Sequence, residues 1–248
     1  MKTKLLIDAD IYAFRALATT EEETNWGNDV WTLSADHKQA LTVFTNEMQK
    51  ITEELNSDNL LLCFSGSDNF RKHINPTYKG NRKNTRKPLG YSTFVENLKA
   101  AYDWQMHDNL EADDVLGMLA TRPDNAGGCV VVSEDKDLMT IPCKLYRPHA
   151  DERMDISEQD ADRHFFMQTL TGDPTDGYKG CPTIGAKRAE AILGSRPAWS
   201  LVEAAFIKQG LTGEDALLQA RMARILRWSD WDEKKREPIL WEPSRGAA

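Results

Sequence analysis

The 248-residue chain lacks any apolar run long enough to cross a bilayer, which excludes an integral helical membrane protein. It also lacks metal-binding cysteine spacing. The four cysteines (Cys63, Cys129, Cys143 and Cys181) form no CxxC pair, and no histidines cluster with them. Buried, reduced thiols in a cytoplasmic protein are therefore expected, with neither disulfides nor zinc. The start, "MKTKLLIDAD", reaches an aspartate after three apolar residues and so does not read as a signal peptide. Long repeats and low-complexity tracts are missing too, and the tail "PSRGAA" is expected to fray.

One local absence is more informative. Between Asn69 and Val95 there is no acid, while Arg71, Lys72, Lys79, Arg82, Lys83, Arg86 and Lys87 all fall there. The whole chain carries −8, so removing these seven cations leaves the remainder near −15. A basic strip on an acidic protein is either an anion site or a solvated loop.

What is present is a regular alternation. Lys4–Ile7, Leu60–Phe64 and Cys129–Val132 are short apolar runs that read as buried strands. Between them, Leu41, Phe44, Met48, Ile51 and Leu55 recur at steps of three and four, predicting an amphipathic helix with Ser34 as its N-cap. Tyr91–Tyr102 reads as helical, and Ala112, Val115, Leu116 and Leu119 share one helical face. The pattern predicts an α/β fold with a parallel sheet covered on both sides. From about residue 156 the texture becomes helical, with segments at Ser157–Leu170, Ala186–Leu193, Trp199–Gln209 and Gly213–Trp228 and no strand among them.

The acids follow that layout. Asp8 and Asp10 follow the first strand, "LEADD" (Glu111, Asp113, Asp114) opens a helix, and Asp135 and Asp137 follow "CVVV". All three groups are expected at the carboxyl edge of one sheet, where open parallel sheets bind ligands. Asp173 and Asp176 sit on a Gly-rich loop entering the helical region. Taken singly, each group is ordinary turn or helix-start chemistry. Taken together they repel, since two carboxylates about 4 Å apart cost roughly 4 kcal/mol at an effective dielectric near 20. Hard divalent cations, Mg²⁺ or Mn²⁺, would relieve that repulsion, and a pair of such ions suits phosphoryl chemistry. In the basic strip, Tyr78 lies among Arg71, Lys79 and Arg82, a composition suited to stacking on a base while cations hold phosphates. In "GYKGCPTIGAKRAEAIL" a glycine loop leads to a helix start bearing Lys187 and Arg188, a phosphate site or a packing turn.

In their order along the chain, "LLIDAD", "FRKHINPTYKGNR", "LEADD", "SEDKDL" and "TGDPTDGYKGCPTIGAKRA" resemble the structure-specific 5′-nucleases, the flap endonuclease and 5′→3′ exonuclease family. "QARMARILRW" and "ILWEP" are similar to segments of the stand-alone bacteriophage exonucleases. The resemblance implies a PIN-like core over residues 1–155. It also implies a helical DNA-binding region over 156–248, with a helix–three-turn–helix near 171–193.

By that resemblance Asp8, Glu111, Asp113, Asp114, Asp135, Asp137, Asp173 and Asp176 hold two metal ions, and Lys79 and Arg82 polarise the scissile phosphate. Arg71, Tyr78, Lys83, Arg86, Gly180, Thr183, Gly185, Lys187 and Arg188 are implied to meet DNA, with a potassium ion at the helix–three-turn–helix. The implied substrates are duplex DNA with 5′ ends, nicks, gaps or flaps, and RNA–DNA hybrids. The protein would act as a monomer in replication and recombination, in the host cytoplasm if phage-encoded.

Two departures stand out. Ser65 occupies a place where many relatives carry an aspartate, so the site has one ligand fewer or Asp68 substitutes, and Thr183 replaces a common glycine; Asp10, without a general counterpart in the family, is a further candidate ligand. The stretch from Tyr78 to Glu111 is short for a threading arch, favouring an exonuclease over a flap endonuclease. The alternatives are a catalytically silent DNA-binding replication protein and a haloacid-dehalogenase-like phosphatase with Asp8 as nucleophile and Asp10 as acid.

Overall fold

The computed structural model describes residues 2–125 and 127–243. The side chains of Lys83 and Asn84, and most of the C-terminal tail, lie outside the described residues. In chain order the elements begin with β1 (Lys4–Asp8), α1 (Ala9–Ala18), a hairpin of β2 (Glu21–Asn25) and β3 (Trp31–Ala35), and α2 (His37–Glu54). Then come β4 (Leu60–Phe64), α3 (Phe70–Ile74), α4 (Tyr91–Ala101), β5 (Trp104–Met106), α5 (Ala112–Thr121) and β6 (Cys129–Val132). The antiparallel pair β7 (Lys144–Arg147) and β8 (Glu152–Asp155) completes the sheet. It is followed by α6 (Glu158–Thr171), α7 (Ala186–Leu193), α8 (Trp199–Lys208) and α9 (Gly213–Ala223).

Six strands form one sheet in the order β5-β4-β1-β6-β7-β8, parallel except for β8. The three apolar runs expected as strands are its centre. Leu5, Ile7, Leu62 and Phe64 pack under α1, α2 and α4 on one face, while Leu6, Cys63, Val131 and Leu145 pack under α5 on the other. Each such side chain, fully removed from water, contributes roughly 1.5–3 kcal/mol. Both faces are covered, which is why the strands carry no alternation of polar and apolar residues. A third cluster gathers Phe165, Phe166, Leu193, Val202 and Phe206 among α6 to α9. Cys63, Cys129 and Cys181 are buried and all four cysteines are free, as expected. No described helix is long and apolar enough to cross a membrane.

Several details differ from expectation. The N-cap of α2 is Asp36, whose side chain accepts from the backbone N–H of Lys38 and Gln39, whereas Ser34 lies in β3. The β2–β3 hairpin went unread because its strands are largely exposed and polar, leaving no period-two apolar signal. The helix predicted to run to Trp228 stops at Ala223, after which Arg224 is extended and the short strands β9 (Trp231–Asp232) and β10 (Glu237–Pro238) pair.

Candidate active site

Strand exits bring the acids together. β1 ends in Asp8, β6 runs into Ser133 and Asp135, and α5 starts beside them at Glu111. Asp8, Asp10, Glu111, Asp113, Asp135, Asp137, Asp173 and Asp176 all line one cleft of about 1090 Å³. Lys79, Arg82, Arg86 and Lys87 line it too. Four stretches that are distant in the chain thus share one surface: the three groups expected at the sheet edge, joined by the Asp173–Asp176 loop.

The acids fall into two neighbourhoods. In the first, Asp8 is buried at the sheet end and accepts a 2.6 Å hydrogen bond from Ser133 Oγ. Burial pushes its pKa up to about 7; the Ser133 hydrogen bond opposes the rise, and Asp10 and Asp135 reinforce it. Burial, together with Asp8 and Asp135, raises Asp113 well above the carboxylate range. In the second, carboxylate oxygens of Asp137, Asp173 and Asp176 lie within 4.8 Å of one another. Burial and then Asp135, Asp173 and Asp176 raise Asp137 to about 6, while Gln168 Nε2 donates to its Oδ1 at 2.6 Å. Such raised values mean that burial and the neighbouring acids disfavour the ionised carboxylates, which a cation nearby would favour. Carboxylate oxygens alone, without thiolate or imidazole, fit a hard divalent ion.

Between the neighbourhoods lies Glu111. Its carboxylate pairs with Lys79 Nζ, meets Arg71 Nη1 at 3.3 Å and accepts from Tyr78 Oη at 3.0 Å. Burial works against ionisation here, but Lys79 and Arg71 outweigh it and hold the group near 2. Lys79 also lies 3.5 Å from Asp176, and Arg82 Nη2 donates to Asp176 Oδ1 at 2.7 Å. Burial opposes the Lys79 charge, yet Glu111 and Asp176 raise its pKa. The two basic residues expected to act on phosphate are therefore poised on the acids that line the cleft.

Five sequence expectations need correction. Asp114 is fully buried outside the cleft, its carboxylate gripped by Arg71 through two 2.7 Å hydrogen bonds, so it is not a cleft ligand. Successive helix positions diverge by about 100°, so Asp113 and Asp114 cannot face the same way. Arg71 is correspondingly a buried structural cation rather than a DNA contact; it also donates to the carbonyls of Met222 and Arg224. Tyr78 is only 3% exposed and its hydroxyl lies between Glu111 and Asp176, so the ring is not free to stack on a base. Asp68 turns to His73 at 2.6 Å and does not line the acidic cleft. Gly180 is buried, and a Cβ there would fall 2.3 Å from Gly172 N; it is a packing glycine, not a backbone grip.

The remaining positions are placed as follows. Asp10 lines the cleft and accepts from Ser65 N and Tyr91 Oη, both at 2.9 Å, while Ser65 Oγ accepts from Ala112 N at 3.0 Å. Thr183, Gly185, Lys187 and Arg188 lie exposed around the start of α7, with Arg188 folded back onto Thr183 O at 2.9 Å. Thr183 has a left-handed backbone, φ 63°, where a glycine would be unstrained. Arg86 is engaged by Glu21, and the Lys83 side chain lies outside the described residues. Sequence reasoning missed Ser133, Gln168 and Tyr91, which hold Asp8, Asp137 and Asp10. Ser133, two residues before Asp135, carried a positional signal; Gln168 and Tyr91 carried none.

Residues 3–164 match the family model described as 5′-3′ exonuclease, N-terminal resolvase-like domain. The chain is 29% identical to the exodeoxyribonuclease of Enterobacteria phage T3, covering 96% of this chain and 92% of that protein. It is 28% identical to the exonuclease of Escherichia phage T7, covering 96% and 93%. Among solved structures, the bacteriophage T5 D15 flap endonuclease, seen with DNA and metal ions, superposes with a TM-score of 0.63. That match covers 88% of each chain at 14% identity, and so speaks for the fold.

Proposed function

We propose, since this chain belongs to the 5′-3′ exonuclease family, that it is a metal-dependent nuclease hydrolysing phosphodiesters near the 5′ ends of duplex DNA. Recessed ends, nicks and gaps are the favoured substrates, with flap cleavage and removal of RNA from RNA–DNA hybrids secondary. The setting is replication and recombination, as a monomer in the cytoplasm, that of the host if the protein is phage-encoded. One observation carries this reading: four acidic stretches share a cleft with Lys79 and Arg82, each already ion-paired to a cleft acid.

Asp8, Asp113, Asp135 and Glu111 would hold one divalent ion, Mg²⁺ or Mn²⁺, and Asp137, Asp173 and Asp176 a second, with Asp10 beside the first. Bound there, the ions supply charge neutralisation for the phosphate and acidify water. The protein's own part is positional. Ser133 and Gln168 fix the carboxylates to which they donate. Lys79 and Arg82, held at the cleft by Glu111 and Asp176, would offer their charge to phosphate oxygens, where negative charge grows during attack. Arg86, Lys87, Lys187 and Arg188 offer exposed cations to the flanking backbone. A potassium ion is proposed at the turn around Thr183, between α6 and α7.

The deciding experiment is cleavage of a recessed-end duplex and a matched 5′-flap duplex, labelled internally and at the 5′ end, with Mg²⁺ or EDTA. Short 5′ products that vanish with EDTA are expected, more from the recessed end. Salt-sensitive binding without products would instead favour a silent DNA-binding protein, with Ser65 marking the lost ligand.

A further inference from the structure

β6 runs out into a loop over residues 133–137 that serves both acidic neighbourhoods. Its Asp135 lies with Asp8 and Asp113, and its Asp137 with Asp173 and Asp176. Between these two acids Glu134 does not line the cleft. Its side chain turns instead to the connection between β7 and β8, residues 148–151. There Glu134 Oε1 takes two donors from one residue: the His149 backbone N–H at 2.9 Å and the His149 ring Nδ1 at 2.6 Å. An ionised carboxylate only accepts, so Nδ1 carries the proton in this contact. Two donors on one oxygen fix direction as well as distance.

The exit of β7 grips the backbone of the same loop. Ser133 N–H donates to Tyr146 O at 3.2 Å, and Arg147 Nε donates to Glu134 O at 3.3 Å. Pro148 fixes its own backbone angle just before His149, which stiffens the connection. On its other side the His149 ring meets Arg15 Nη1 at 2.6 Å and Glu47 Oε1 at 3.5 Å. The clasp is thereby tied to α1, which also carries Asp10, and to α2. Like charges at Asp135 and Asp137 favour a spread loop when no cation is bound, and the clasp opposes that spreading. His149 keeps 46% of its side chain exposed, so losing the ring would leave no cavity in the core.

We propose that His149 is a positioning residue for the metal-binding acids: acting through Glu134, it fixes the loop that carries Asp135 and Asp137 and so tightens both ion sites. The proposal rests on the two-ion reading above. A loop already set in place loses less conformational freedom when an ion binds, and that difference appears in the affinity. Because one loop supplies an acid to each neighbourhood, one clasp reaches both. In this role His149 meets neither ion nor phosphate.

The test is a double-mutant cycle read on metal affinity. Mn²⁺ binding to the DNA-free protein is followed by the paramagnetic resonance of the free ion, for the wild type, His149→Ala, Glu134→Ala and the double variant. Melting in EDTA and cleavage across a Mg²⁺ titration are measured alongside. The wild type should bind two ions. His149→Ala should bind both about tenfold more weakly, the scale of losing an outer partner of a metal site. In the Glu134→Ala background, removing the His149 ring should change nothing further, because the two act as one unit. His149→Ala should need more Mg²⁺ for half-maximal cleavage, reach a near wild-type rate at saturation, and melt like the wild type in EDTA. Independent, additive losses in the cycle would overturn the proposal. So would a lower melting temperature in EDTA with unchanged affinity, which is the mark of a merely structural contact. Two ions bound equally well by the wild type and His149→Ala would remove this proposal alone. A wild type that bound no Mn²⁺ would remove the two-ion reading and the proposal with it.

Discussion

The carboxylate of Asp114 meets Arg71 at 2.7 Å inside the protein, while that of its neighbour Asp113 lines the cleft beside Asp8 and Asp135. One residue along a helix separates a structural charge from a functional one. The two asparagine variants should therefore fail differently. Asp113→Asn should abolish cleavage, retain most DNA binding, and raise the melting temperature in EDTA, because it removes a buried acid whose ionisation burial, Asp8 and Asp135 all oppose. Asp114→Asn should cost about 3–5 kcal/mol in denaturant unfolding by leaving Arg71 buried and half-paired. Equal melting behaviour of the two variants would refute this division.

Lys79 is held by Glu111 and Asp176, at the junction of the two acidic neighbourhoods. Lys79→Ala should lower single-turnover cleavage by about 10²–10³, the scale of losing one donor to a developing charge. Measured affinity for uncleaved DNA in Ca²⁺ should fall much less. Wild-type turnover in this variant would remove Lys79 from the phosphate-facing role.

The metal-free protein should become less stable as pH rises from about 4 to about 7. Asp8 has an ordinary value of 3.8 and is raised to about 7 in the fold, with Asp137 raised to about 6. The unfolded chain loses these protons first, so the folded state binds more protons across that window and stability falls with rising pH. The stabilisation is complete below the unfolded value and lost as pH passes the folded one. Divalent ions need the deprotonated groups, so Mg²⁺ should bind more tightly towards pH 8 and release protons on binding. Thermal melts in EDTA and in Mg²⁺, and calorimetry in buffers of different ionisation enthalpy, would check both halves.

Thr183 adopts a left-handed conformation that costs an L residue about 1–2 kcal/mol. Part of this returns on substitution by glycine, offset by the greater freedom of the unfolded chain. Thr183→Gly should raise the melting temperature by a few degrees, since about 1 kcal/mol moves a domain of this size by roughly 2–4 °C. A lower melting temperature would show that the hydroxyl contacts to Arg188 and Gln209 outweigh the strain.

The parts of the site legible in the sequence were those tied to strand ends. Asp8 and Asp135 could be placed because each follows an apolar run, and a parallel sheet puts such exits on one edge. Arg71 and Tyr78 could not, because a run of cations does not say which member is buried. The partner that buries Arg71 lies 43 positions away, and its other acceptors are backbone carbonyls, which carry no signature in the side-chain alphabet. The hairpin anchored by Glu21 was illegible for the opposite reason. It buries too little to impose a pattern, and its ion pair with Arg86 joins residues 65 positions apart.

Arg71 and Asp114 also take their partners from the far end of the chain. Arg71 donates to Met222 and Arg224, Leu226 N–H donates to Asp114 at 3.1 Å, and Gly117 leaves room for the Leu226 carbonyl against α5. During synthesis these charges wait, incompletely partnered, until residues beyond 226 leave the ribosome. The helix that presents Asp113 is thus braced by these residues as well as by the sheet. A nascent or truncated chain ending before Met222 would hold every one of these cleft acids and still lack the contacts that brace Arg71 and Asp114 beside them.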